Sequence, residues 1–144
     1  MRKNIALIIN SISSDYSVEF IKGVSDYLKN KDANLIISQV QLPDEHFGIF
    51  EYQYWAGMKL LESECIDAII VVTPIFVSKI SIEKLSRLLE PISNKPIISI
   101  SVPLLIPNSY CIKISSKSIY KKIVKHLKEE HSCKRFAFMA ANST

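Results

Sequence analysis

Asp15, Asp67, the histidines His46, His126 and His131, and the cysteines Cys65, Cys111 and Cys133 are the first candidates for chemistry in this sequence. Asp15 and Asp67 could act as general acid and base. Asp15 is more simply a carboxylate at a helix start, where the positive end of the helix dipole favours it. Asp67 precedes a strand, at the end of a parallel sheet opposite its ligand crevice, which gives it a structural role. The histidines do not fall with a carboxylate pair at metal-ligand spacing, and His126 sits within a helical pattern, where a surface or structural role is the simpler account. An odd number of cysteines with no C-x-x-C step argues for free thiols over a disulfide framework or zinc site. The glycines Gly23, Gly48 and Gly57 all lie away from the turn after the first strand, so the phosphate loop of a dinucleotide fold is missing. There is no G-x-x-x-x-G-K-[ST] and no G-x-S-x-G. These residues therefore predict neither catalysis nor a bound cofactor or metal.

A second kind of chemistry is recognition by neutral hydrogen-bonding groups. Polar residues close several apolar runs: Asn10 and Ser11 with the turn through Asp15 to Tyr16, then Gln39 and Gln41, Thr73 with Pro74, Ser101 with Val102, and Ser115 with Ser116. If those runs are parallel strands, these residues stand at the carboxyl ends, outside which open α/β sheets bind ligands. Amides and hydroxyls with one aromatic ring suit a sugar, a nucleoside or a similar neutral polar molecule.

The elements that must position them follow from periodicity. Ile5 to Ile9, Leu35 to Val40, Ala68 to Val72, Pro96 to Ile100, Tyr110 to Ile114 and Arg135 to Met139 are short apolar runs and predict strands. Between them, Tyr16 to Asn30, Phe47 to Glu64, Ser81 to Glu90 and Ser116 to Glu130 carry apolar residues at steps of three and four and predict helices, the first with Ser13, Ser14 or Asp15 as its cap. Near-continuous apolar strands alternating with helices predict an α/β fold, a doubly wound parallel sheet with helices on both faces. The 144 residues, 48% apolar and 22% charged, are enough for one core. No apolar run approaches the roughly 18 residues of a membrane span, and the run after Met1-Arg2-Lys3-Asn4 is shorter than a signal peptide's, which predicts a cytoplasmic protein with no membrane partner. The net charge of +4 gathers in Lys113, Lys117, Lys121, Lys122, Lys125 and Lys128. Residues 117, 121, 125 and 128 form one helical stripe, read here as a solvated face and not a nucleic-acid surface, since no helix-turn-helix pattern accompanies it. A doubly wound domain seldom stops directly after a strand, as this sequence does, so a longer protein is expected.

The order of these segments resembles a known family. Ile5-Ala6-Leu7-Ile8-Ile9, then Ser13-Ser14-Asp15-Tyr16-Ser17, then Glu19-Phe20-Ile21-Lys22-Gly23-Val24 resembles the opening of the sensor domains of lac-repressor-type regulators and type I periplasmic binding proteins. Ile66-Asp67-Ala68-Ile69-Ile70-Val71 is similar to the family's V-D-G-I-I-V strand, and Lys95-Pro96-Ile97-Ile98-Ser99-Ile100 to its I-P-V-V-x-I strand. His126-Leu127 through Cys133-Lys134-Arg135-Phe136-Ala137-Phe138 is similar to H-L-x-E-x-G-x-x-R-I-A-F-I. The resemblance covers nearly the whole chain, in order and with matching spacing.

It implies strand order 2-1-3-4-5 and the N-terminal lobe of a two-lobed fold with ligand held between lobes. Residues 1–134 would then form that lobe and 135–144 the first strand of the second. The sensor strand begins at residue 5, with no helix-turn-helix before it. Residues 129–138 resemble a variant found in sensors that precede GGDEF diguanylate cyclase domains. The resemblance thus implies a ligand-sensing half-domain of a larger signalling protein, with a lac-repressor-family regulator lacking its DNA-binding segment as the alternative. It also implies a homodimer, and an aromatic contact to ligand from Tyr16, which could equally pack as a helix staple. Where the family often has Asp-Arg and Asp-Asn, this chain has Ser101-Val102 and Ser115-Ser116, so those charged contacts are gone: the ligand differs, or the lobe serves only in dimerisation. A receiver domain fits poorly, with Asn10-Ser11 and Thr73-Pro74 where its acidic residues should stand.

Overall fold

Burial of an unbroken apolar strand on both faces organises the fold. In a computed structural model, which describes residues 2–40, 57–113, 115–137 and 139, β1 (Lys3–Ile9) leaves Ala6, Leu7 and Ile9 with no exposed surface. Side chains alternate across a strand. Ala6 and Ile8 accordingly join one apolar cluster with Ile69, Val71, Phe76, Leu85, Leu89 and Ile97. Leu7 and Ile9 join another with Val72, against which Phe20, Ile21, Leu35, Ile70 and Ile75 pack.

The chain divides into two compact units, Met1–Ile112 and Lys113–Thr144. The first contains β1, α1 (Asp15–Leu28), β2 (Ala33–Gln39), β3 (Ala68–Val71), α2 (Thr73–Val77), α3 (Ile82–Leu89), β4 (Ile97–Ile100) and β5 (Ser109–Ile112). Its five strands are all parallel in the order β2-β1-β3-β4-β5. Central β1 pairs Ile5 with Leu35 on one side and with Ala68 on the other. Helix α1 covers one face through Phe20 and Ile21, and α3 covers the other through Leu85 and Leu89. The sequence predicts this class and, through the resemblance, this order.

Several expectations are corrected in detail. Thr73 and Pro74, expected only as the polar end of a strand, begin the short helix α2, where Pro74 falls in the first turn and its missing N–H costs nothing. Most of the helix expected from Phe47 to Glu64 lies outside the described residues. Residues 57–60 are helical, and from Leu61 the chain tightens through i→i−3 bonds: Leu61 N–H to Met58 O (3.0 Å), Glu62 N–H to Lys59 O (3.2 Å) and Ser63 N–H to Leu60 O (3.2 Å). The helix therefore ends before Glu64. In the second unit, α4 (Lys117–Glu129) matches the expected helix, and the lysine stripe lies on it. The described residues of the strand expected from Arg135 to Met139 carry no regular secondary structure, for a strand is defined by a paired neighbour. Among the described residues, no helix is long and apolar enough to cross a membrane. All three cysteines are free thiols.

Polar groups secure the amino end of the sheet. The Asp67 carboxylate accepts from Lys3 Nζ at 2.7 Å and from the Asn4 N–H at 2.8 Å, while its own N–H donates to Asn4 O at 2.9 Å. These bonds tie the start of β3 to the start of β1, the structural role expected of Asp67. Buried Lys95 donates through Nζ to Leu61 O and Glu62 O, both at 2.9 Å. Its ammonium thereby satisfies carbonyls where the helical residues 57–60 end, the terminus a cation favours.

The hydrogen bonds from Lys3 and from the Asn4 N–H hold the Asp67 carboxyl below the usual carboxylate range. A depressed acid contributes stability that is present above its unfolded-state value, about 3.9, and is lost as pH falls through the lower folded value. Asp67→Asn should therefore lower the urea midpoint at neutral pH, with the gap to the parent protein closing below about pH 4. Urea unfolding followed by circular dichroism at several pH values checks this.

Candidate functional site

The strand order places a crevice at the carboxyl ends of β1 and β3, because the chain leaves β1 toward β2 on one side and reaches β3 on the other. Asn10 and Ser11 follow β1, Thr73 follows β3, Gln39 ends β2 and Ser101 follows β4. The turn after β1 leads directly into α1, whose first turn carries Asp15 and Tyr16.

That turn is built from hydroxyls. Ser11 Oγ accepts from the Ser13 N–H at 3.2 Å and lies 3.1 Å from Ser13 Oγ. Ser14 is the cap of α1, with extended backbone (φ −77°, ψ 146°) and Oγ accepting from the Ser17 N–H at 3.3 Å. Ser14 Oγ also donates to Oγ of fully buried Ser17 at 2.7 Å, which anchors the helix start. Asp15 is exposed in the first turn, where its charge complements the helix dipole.

Tyr16 is 54% exposed. Its ring lies 6.2 Å from that of Phe20, with the planes 29° apart. Phe20 is half-buried and packs on the cluster around Leu7 and Ile9. One side of the Tyr16 ring is thus supported from the core while much of the residue remains open, so packing and ligand contact are compatible roles. Asn10 and Gln39 are joined: Gln39 Nε2 donates to Asn10 O at 3.3 Å.

Thr73 stands at the expected place but is fully buried. Its hydroxyl donates to the carbonyls of Ile100 and Val102, the latter at 3.1 Å, and accepts from the Val102 N–H at 3.3 Å. It anchors the turn after β4 instead of presenting a group to solvent. Ser101, at the apex, is exposed and has φ 68°, a left-handed conformation that a non-glycine residue seldom adopts. The Ser101 N–H donates to Ile112 O at 2.8 Å, so both neighbouring strands hold the strained turn. Ser115 is exposed and belongs to the second unit, so the site assembled here comprises residues of the first. Gln41 lies outside the described residues.

A further feature, with no motif in the sequence to mark it, borders this cluster. Ile12, Val18, Ile21, Ile37 and Gln39 line an open depression of about 580 Å³ between α1 and β2. Ile36 and Ile37 are exposed on edge strand β2, and a two-isoleucine step in a strand with only one covered edge was the signal available.

Chemically, exposed Tyr16, Gln39 and Ser101 with half-buried Asn10 and Ser11 offer amide and hydroxyl donors and acceptors beside one ring, with Asp15 as the charged neighbour. Among the described residues, no three His, Cys, Asp or Glu side chains are grouped to hold a metal ion. The set can orient a polar molecule, and it holds no paired nucleophile and base.

Removing the Thr73 hydroxyl should loosen the turn that carries Ser101. Thr73→Val, nearly equal in shape, should cost roughly 1 kcal/mol through the lost hydrogen bonds, chiefly the one to Val102 O, since Val102 N–H and Ile100 O keep their own bond of 2.8 Å, while Thr73→Ser should recover most of that loss. Thermal unfolding of the two variants checks it.

Compared with protein-family models, with characterised proteins and with solved structures, the chain finds no match.

Proposed function

We propose that this chain supplies one side of a binding site for a small neutral polar molecule, sugar-like or nucleoside-like, and acts as a ligand-sensing regulatory half-domain of a larger cytoplasmic signalling protein. The observation that carries the reading is the cluster of amide and hydroxyl groups at the carboxyl ends of parallel strands in the order β2-β1-β3-β4-β5. The resemblance of the strand and turn segments to lac-repressor-type sensors supports it, and that of residues 129–138 to GGDEF-linked sensors favours a diguanylate cyclase as the output. On this reading residues 1–134 belong to the first lobe and 135–144 open the second. The chain itself catalyses nothing.

Calorimetry of the complete sensor against pentoses, hexoses and nucleosides tests the proposal. One class should bind, and Tyr16→Ala should weaken it about fivefold, the equivalent of about 1 kcal/mol for loss of one stacking ring. Absence of binding across the panel, or an affinity indifferent to both Tyr16→Ala and Gln39→Ala, would defeat it.

The reading includes a homodimer. Phe136 is 47% exposed and Met139 is 96% exposed, so these two offer apolar side chains that a second copy would cover. Light scattering after size exclusion should give a dimer at micromolar concentration, dissociated by Phe136→Ser. A monomer at that concentration counts against it.

A further inference from the structure

We propose that His126 and His131 together form a binding site for one divalent transition-metal ion of the zinc class. Their spacing of five residues does not match the i, i+4 pair of a continuous helix, and the contact exists only because the helix stops. Helix α4 ends at Glu129, and Glu130 closes it by donating its N–H to His126 O at 2.9 Å. Ser132 then takes a left-handed conformation, φ 51°, and the Cys133 N–H returns to Leu127 O at 3.0 Å. This turn folds the chain back over the last turn of the helix and brings His131 to His126.

The two Nε2 atoms lie 3.2 Å apart, with ring centroids 4.9 Å apart and planes at 77°. With zinc–nitrogen bonds of about 2.1 Å, that separation subtends about 100° at a shared ion, between the tetrahedral and octahedral cis angles. In the ion's absence, one Nε2–H can donate to the other ring. When an ion binds, the hydrogen between the rings passes through solvent to Nδ1 of its own ring, so each neutral imidazole carries its one hydrogen on Nδ1 and offers its Nε2 lone pair. Imidazole pairs suit zinc, copper and nickel, not calcium or magnesium, which take oxygen ligands. Both residues are exposed, so an ion can enter and water completes its coordination. The backbone bonds that set the spacing do not involve the rings, which makes the pair pre-organised and its substitution benign for the fold.

The test is zinc titration of the untagged chain, followed by calorimetry and by two-bond proton–nitrogen spectra of the imidazoles. One ion per chain should bind with micromolar affinity, shifting Nε2 of both His126 and His131, and acidification should release it as protons compete for the rings. His126→Ala and His131→Ala should each weaken binding roughly tenfold or more, through loss of the second tethered ligand, with unchanged circular dichroism. Calcium should not compete. If His126→Ala perturbs the helix, His131→Asn, beyond the helix end, carries the same expectation. Absence of imidazole shifts at millimolar zinc, or binding that depends on only one of the two histidines, would overturn the proposal.

Discussion

The first unit depends on one constraint: β1 has to be dry on both faces. Five consecutive apolar residues cannot be sheltered by one layer, because alternate side chains point in opposite directions. Ala6 and Ile8 need the layer that α3 provides, and Leu7 and Ile9 need the layer that α1 provides. Parallel pairing on both edges of β1 then follows, since each return to the sheet must cross over through a covering element. The placement of every candidate binding group is downstream of that arrangement.

The two ends of the sheet differ in what their polar groups do. At the amino end, Asp67 is occupied by Lys3 and by the backbone of Asn4, and Lys95 by the carbonyls of Leu61 and Glu62. Those charges serve the fold. At the carboxyl end, Gln39 and Ser101 remain exposed and Ser11 half-buried, while Thr73 and Ser14 hold the turns that present them. The division between groups that hold and groups that are held out is what gives the carboxyl end its claim to recognition.

The second unit follows a different logic. Helix α4 buries none of its residues, and Ile119, Tyr120, Ile123 and Val124 stay about half exposed beside the lysine stripe. Order within this unit comes from local contacts: the hydrogen bonds of the helix ladder, the ion pair of Lys125 with Glu129 at 3.8 Å, and the backbone closure beyond Glu129. Exposed pairs of that kind add little stability. Its distinctive geometry is the meeting of His126 and His131, which arises where regular structure ends.

Fold class was legible in the sequence because periodicity is a local property. Ile5 to Ile9 reads as a doubly buried strand, and Phe20 with Leu28 reads as part of the apolar stripe of a helix, whatever surrounds them. The residues at strand ends were legible for the same reason: once the strands are parallel, their carboxyl termini are known, and Asn10, Gln39, Thr73 and Ser101 fall there. Exposure was not legible, because it is a property of neighbours. Thr73 and Ser101 look alike as hydroxyl residues after strands, yet the first is enclosed by the backbone of 100–102 and the second stands at a strained apex. The histidine contact was illegible too. Spacing rules assume that a helix continues, and a left-handed residue at position 132 sets those rules aside. Sequence alone thus determined the five strands of the sheet, helices α1, α3 and α4, and where a parallel sheet offers its polar ends. Tertiary structure decided which of those polar groups face outward and which distant side chains touch, because both depend on how the backbone turns once regular structure stops.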